Sequence, residues 1–149
     1  MLYATLKAFH LLSIIVWVGG MSFAHFFLRP ALTALEAPAR VILMHAVLER
    51  FFNTVLYMTA IALFSGVWML LLFSNRGSDP GAYLKMPMGW MVMAALGTLM
   101  VAVFGHIRFV LFKRLHNAVL AEKWAVGAAA LASIRSWVRI NLGLSLIHI

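Results

Sequence analysis

Six histidines and ten methionines, in a chain of 149 residues without a cysteine, are the side chains able to hold a metal ion or a flat cofactor. His10 and His25 lie 15 positions apart in the first apolar run. Helical geometry sets them about 60° apart in azimuth and about 22 Å apart along the axis, nearly on one face but at opposite membrane surfaces. Ser13, Trp17, Gly20 and Ala24 share that face, and small residues there let another helix or a cofactor approach closely. An ionisable residue inside an apolar span, as His10 is, reads as functional. His25 belongs to the inner level, with His45, His106 and, further on, His116 in the following basic connection. Glu49, one turn after His45, could hold the second ring nitrogen of that histidine. Two imidazoles from different helices could clamp a haem b iron; the plainer reading makes them interfacial side chains bonded to headgroups or carbonyls.

Five methionines, Met86, Met88, Met91, Met93 and Met100, fall in one short stretch beside Lys85. Thioether sulfur is a soft donor, and histidine with methionine suits Cu(I) better than zinc or magnesium. A copper site on this reading draws on His10, Met88 and Met91, with His25, His45 and His106 as the inner-level alternatives. Met91 and Met93 point about 200° apart, so Met88 with Met91, or Met86 with Met93, are the workable pairs. The plain alternative is methionine as apolar filler. The lack of cysteine removes thiolate metal sites, iron–sulfur clusters and disulfides. No carboxylate pair, phosphate loop or nucleophile with an adjacent base is present, so an enzymatic role would need a bound redox cofactor.

The elements that must position these residues are membrane helices. Apolar residues make up 64% of the chain, charged ones only 11%, and mean hydropathy is +0.98. A soluble domain carries roughly a quarter of its residues charged, so a soluble globular domain and a disordered chain are both excluded. Apolar runs, with no strand-like alternation, predict an all-α polytopic membrane protein, an antiparallel four-helix transmembrane bundle. The spans are expected at about 3–28, 51–73, 88–112 and 126–149. Arg29-Pro30 is expected to stop the first, and its apolar run is too long for a cleaved signal core. Val41 to Arg50 reads as an interfacial approach to the second, and Ser74 to Gly81 as a polar turn segment.

Twelve Lys and Arg against four Asp and Glu give a formal charge of +8. Arg29, Arg40, Arg50, Arg108, Lys113, Arg114 and Lys123 flank the first and third loops, against Lys7, Arg76 and Lys85 on the other side. Basic residues favour the cytoplasmic face, which puts both termini on the opposite, outward side of the membrane. Because the charges flank spans, they mark topology rather than a nucleic-acid surface.

The last six residues, Leu144 to Ile149, match the in-frame translation of a transposon mosaic-end adapter used in sequencing libraries, CTG TCT CTT ATA CAC ATC. The natural domain is therefore expected to cover residues 1–143, with an incomplete fourth span starting near Trp137, and His148 is left out of the candidate ligands. On that reading Arg135 and Arg139, one turn apart, snorkel at the cytoplasmic interface. A span starting at Trp124 would instead bury Arg135 about 16 Å deep with no acidic partner, which would point to an anionic ligand such as haem propionates.

Lys7-Ala8-Phe9-His10, Trp17-Val18-Gly19-Gly20-Met21 and Leu28-Arg29-Pro30-Ala31-Leu32 resemble the first helix of the CopD family of bacterial inner-membrane proteins. Tyr83 to Met86, Gly105 to Phe109 and Ile134 to Gly143 resemble its short, stand-alone members. That resemblance implies copper handling or uptake, with a copper ion as cargo and a periplasmic copper-binding protein as partner. A Lys-x-x-His first helix with Trp and Gly is also similar to the HemJ family. This second resemblance implies haem-dependent protoporphyrinogen oxidation, with His10 and Lys85 at the matching positions and His25, His106, Arg135 and Arg139 as further cofactor-binding candidates.

Overall fold

The computed structural model describes residues 1–74 and 87–148. Lys85, Met86 and most of the polar turn segment lie outside the described residues. All regular structure is helical, and no strand occurs among the described residues. Four long helices follow in order: α1 Leu2–Ala34, α2 Ala37–Ser74, α3 Met88–Leu120 and α4 Trp124–His148. The first three are long and apolar enough to cross a membrane. In α4, Arg135, Arg139 and Asn141 dilute the apolar residues.

Helix α1 does not stop at Arg29-Pro30. It widens into a π turn at Ala24–Leu28, continues through Pro30 and tightens into a 3₁₀ turn at Leu32–Ala34 before Leu35 turns extended. Proline cannot donate to the carbonyl four residues back and crowds it. A π turn ahead of Pro30 is the kind of insertion that absorbs such a fault without ending the helix. Arg40, from the first turns of α2, then closes the helix end. Its guanidinium donates to the carbonyls of Leu32 (3.1 Å), Thr33 (3.3 Å) and Leu35 (2.7 Å). A cation on the exposed carbonyls of a helix C-terminus also favours the helix dipole.

The second and third helices overrun the expected spans. Helix α2 has 38 residues, about 57 Å of helix against a hydrocarbon core of about 30 Å. The segments read as an interfacial approach and a basic connection are helical continuations of α2 and α3. Likewise α4 runs unbroken from Trp124, with no backbone change near Trp137. Its hairpin with α3 closes at Ala121–Lys123: the amide of Lys123 donates to Ala118 (2.9 Å) and that of Glu122 to Val119 (3.1 Å). Glu122 takes the left-handed conformation, φ 53°, where glycine is the usual residue.

Helix α1 packs along α2, and α3 along α4; α4 also touches α1 and α2. Between helices in lipid, close packing must replace the hydrophobic drive of water. Gly20 allows it between α1 and α2, since a side chain there would overlap the Phe51 ring. Gly127 does the same for α4, where an added Cβ would stand 2.9 Å from Val41. An aromatic chain fills the centre: Trp17 meets Phe104 edge-on at 5.6 Å between centroids, Phe104 meets Phe52 at 6.0 Å, and Phe52 meets Phe112 at 5.5 Å. All four are buried. Many of the remaining large apolar side chains face outward, as lipid-facing helices require.

Candidate functional site

The described histidines sort into a site around His10, a histidine pair between α2 and α3, a charged cleft holding His25, and His106 apart from these against Trp137. His10 is half-buried against α2. Its Nδ1 lies 2.9 Å from the Ala62 carbonyl and 3.2 Å from Ser65 Oγ. A carbonyl can only accept, so the Nδ1 hydrogen points there. Ser65 in turn gives its own hydrogen to the Ile61 carbonyl at 2.7 Å and so can accept as well. In the neutral ring this fixes the tautomer and leaves Nε2 with a free lone pair, the arrangement by which an outer hydrogen bond prepares a histidine as a metal ligand. Gly66 makes room, since a Cβ on it would stand 3.3 Å from His10 Cε1. The sequence pointed to His10 but not to these partners, one of which is a backbone carbonyl. His148, in the tail left out of the ligand set, lies 6.4 Å from His10 between ring centroids, and its Nδ1 has no hydrogen-bond partner.

The methionines proposed as partners of His10 have exposed side chains. Met88 is 80% exposed and Met91 58% exposed, on the outward surface at the start of α3. Among the described residues the buried methionines are Met21, Met44 and Met100. Met21 Sδ is 3.8 Å from Asn141 Nδ2, and Asn141, only 1% exposed, leaves its Oδ1 without a partner. A polar side chain buried between α1 and α4 was not singled out by its sequence context.

The inner histidines have separate neighbours. His45 Nε2 and His116 Nδ1 share a hydrogen bond of 3.0 Å across 71 residues of sequence, and the His45 ring stacks on Phe112 at 5.2 Å and 8°. Glu49 lies close enough to His45 to act on its charge. His106 is exposed and meets Trp137 at 4.9 Å. His25 meets Phe26 edge-on at 4.9 Å. The direct bond between His45 and His116 leaves no room for an iron between those two rings. Among the described residues no group of three or more His, Cys, Asp or Glu side chains is placed to hold a metal.

His25 also lines a cleft of about 650 Å³ between the end of α1, the start of α2 and the middle of α4. Arg29, Arg40, Arg135 and Arg139 line it too, with Leu32, Val41, Met44 and Leu131 as apolar wall. The sequence paired Arg135 with Arg139; the structure adds Arg29, whose charge is repelled by both. Outside the cleft, Arg108 donates to Asn53 Oδ1 at 3.0 Å and sits 5.1 Å over the Phe112 ring.

These features define an all-helical multi-pass membrane protein with a histidine anchored inside its first apolar helix and a basic cleft at that helix's other end. A family model described as Copper resistance protein D, CopD, matches residues 45–149, more than half of the chain. The chain belongs to the CopD family. The match begins at His45, so His10 and the rest of α1 precede it. No curated protein and no solved structure matches this chain.

Proposed function

We propose that this CopD-family chain handles copper in the bacterial inner membrane, with Cu(I) as cargo engaged by Nε2 of His10. The observation carrying the reading is the hydrogen bond from His10 Nδ1 to the Ala62 carbonyl, which leaves Nε2 of the neutral ring with a free lone pair. Soft, low-coordinate Cu(I) suits such a site better than a hard divalent cation, because one imidazole and few further donors suffice. The exposed Met88 and Met91, one turn apart on α3, offer thioethers at the membrane surface for receiving the ion from a periplasmic copper-binding partner. Four antiparallel spans, α4 included, with both termini periplasmic, fit the bias of basic residues toward the first and third loops.

The test is Cu(I) competition against a chromophoric chelator on the purified protein. Stoichiometric copper should bind the wild type and be lost in His10→Ala; copper retained by His10→Ala combined with Met88→Ala would sink the assignment. An absorption spectrum of protein from haem-replete cells tests the haem-binding alternative, in which His10, His25, His106 and Lys85 serve a haem-dependent oxidase. A Soret band that is lost in His10→Ala would replace the copper reading.

A further inference from the structure

Copper chemistry leaves the basic cleft unexplained, since guanidinium groups repel a cation. Arg135 and Arg139 are one turn apart on α4, and Arg29 faces them from the residue that follows the π turn of α1. Of the carboxylates among the described residues, Glu36, Glu49 and Glu122, none lines the cleft. Arg40, the fourth arginine, is occupied by three carbonyls at the end of α1. Among the described residues Arg29, Arg135 and Arg139 make no hydrogen bond to protein, so their fork-shaped donors remain free. Arginine forks match phosphate oxygens in pairs. Three mutually repelling cations brought together in one cleft are stabilised by an anion and by little else.

We propose that this cleft binds the phosphate of an anionic phospholipid headgroup. Two observations favour a lipid over a soluble phosphate. The cleft is amphipathic: Leu32, Val41, Met44 and Leu131 line it beside the guanidiniums, giving acyl chains an apolar wall next to the phosphate position. It also sits where α1 leaves its apolar run, between helices, the place where basic pockets of membrane proteins receive anionic headgroups. Its volume of about 650 Å³ accommodates a headgroup and the first carbons of its chains.

The test is lipid retention by the full chain in detergent, read by native mass spectrometry after exchange into phosphatidylglycerol or phosphatidylcholine. Wild-type protein should keep phosphatidylglycerol in preference to phosphatidylcholine. Arg135→Gln with Arg139→Gln should weaken that retention about tenfold or more. Lys113→Gln with Arg114→Gln removes the same charge outside the cleft and should leave it unchanged. The conservative pair Arg135→Lys and Arg139→Lys, which keeps charge but loses the fork, should fall between, and circular dichroism checks that each variant keeps its helices. Equal losses in the two glutamine pairs would overturn the site, because retention would then follow net charge alone. A second arm titrates inorganic phosphate against thermal unfolding. Stabilisation by millimolar phosphate, lost in the Arg135→Gln and Arg139→Gln protein and unaccompanied by lipid retention, would overturn the lipid source.

Discussion

The two ends of α1 solve opposite problems. At His10 every polar partner is supplied by α2: a carbonyl and a hydroxyl hold one ring nitrogen, and a glycine leaves space for the ring. At Arg29 the cleft gathers like charges and leaves three guanidiniums without acceptors among the described residues. The first arrangement is complete except for one lone pair, which suits a cation. The second is complete except for an anion. On the two proposals a single helix carries binding preferences of opposite sign, separated by its buried face through Ser13, Trp17 and Met21.

The sharpest way to break this contrast is to cross the variants. His10→Ala should abolish stoichiometric Cu(I) binding while lipid retention stays at the wild-type level. The Arg135→Gln and Arg139→Gln protein should do the reverse, losing phosphatidylglycerol and keeping copper. If either variant moved both readouts together, the two ends would be one coupled site or the fold itself would have given way, and a helicity measurement separates these outcomes.

A smaller effect is expected from the groups that orient His10. Ser65→Ala removes one acceptor from the ring and leaves the Ala62 carbonyl, so copper affinity should fall by about tenfold rather than vanish. Gly66→Ala adds a methyl 3.3 Å from Cε1, and the ring must shift by a few tenths of an ångström. Competition titration of both variants should give weakened but measurable binding. Affinity equal to wild type in both would mean that α2 does not orient the ligand.

How much of this contrast was legible in the sequence depends on range. The apolar runs announce the helices because lipid demands long, internally bonded segments. His10 stood out as the ionisable group inside such a run, and Arg135 with Arg139 as neighbours one turn apart. What completes each site lies far away in sequence. Ala62 acts through its backbone, which no residue type can signal, and Arg29 joins Arg135 only through the packing of α1, α2 and α4. Continuation of α1 past Arg29-Pro30 was hidden for a local reason: proline normally marks a boundary, and the π turn that absorbs it has no composition of its own. Exposed Met88 and Met91 show the limit of periodicity, which places two residues on one face without saying whether that face meets protein or lipid.

The histidine pair belongs to neither end and tests the packing between α2 and α3. His116→Ala removes one partner of the 3.0 Å bond and leaves His45 Nε2 unpaired beside Phe112. A net hydrogen bond is worth about 1 kcal/mol, so the thermal midpoint should drop by a few degrees. Copper and lipid binding should be unaffected. A loss of copper in this variant would move the metal site from His10 to the pair and end the contrast as drawn.

The smallest effect is a gain, at the hairpin that brings α4 back against the cleft. Glu122 holds φ 53°, with the amides of Glu122 and Lys123 returning to Val119 and Ala118 to close the end of α3. A side chain in that conformation crowds the adjoining carbonyl by about 1 kcal/mol, and glycine does not. Glu122→Gly also removes a carboxylate that lines no part of the cleft. It should therefore raise the thermal midpoint by a few degrees while phosphatidylglycerol retention stays constant. A rise in lipid retention instead would show that Glu122 reaches the arginines from the hairpin and competes with the phosphate, so that the cleft has an internal anion after all.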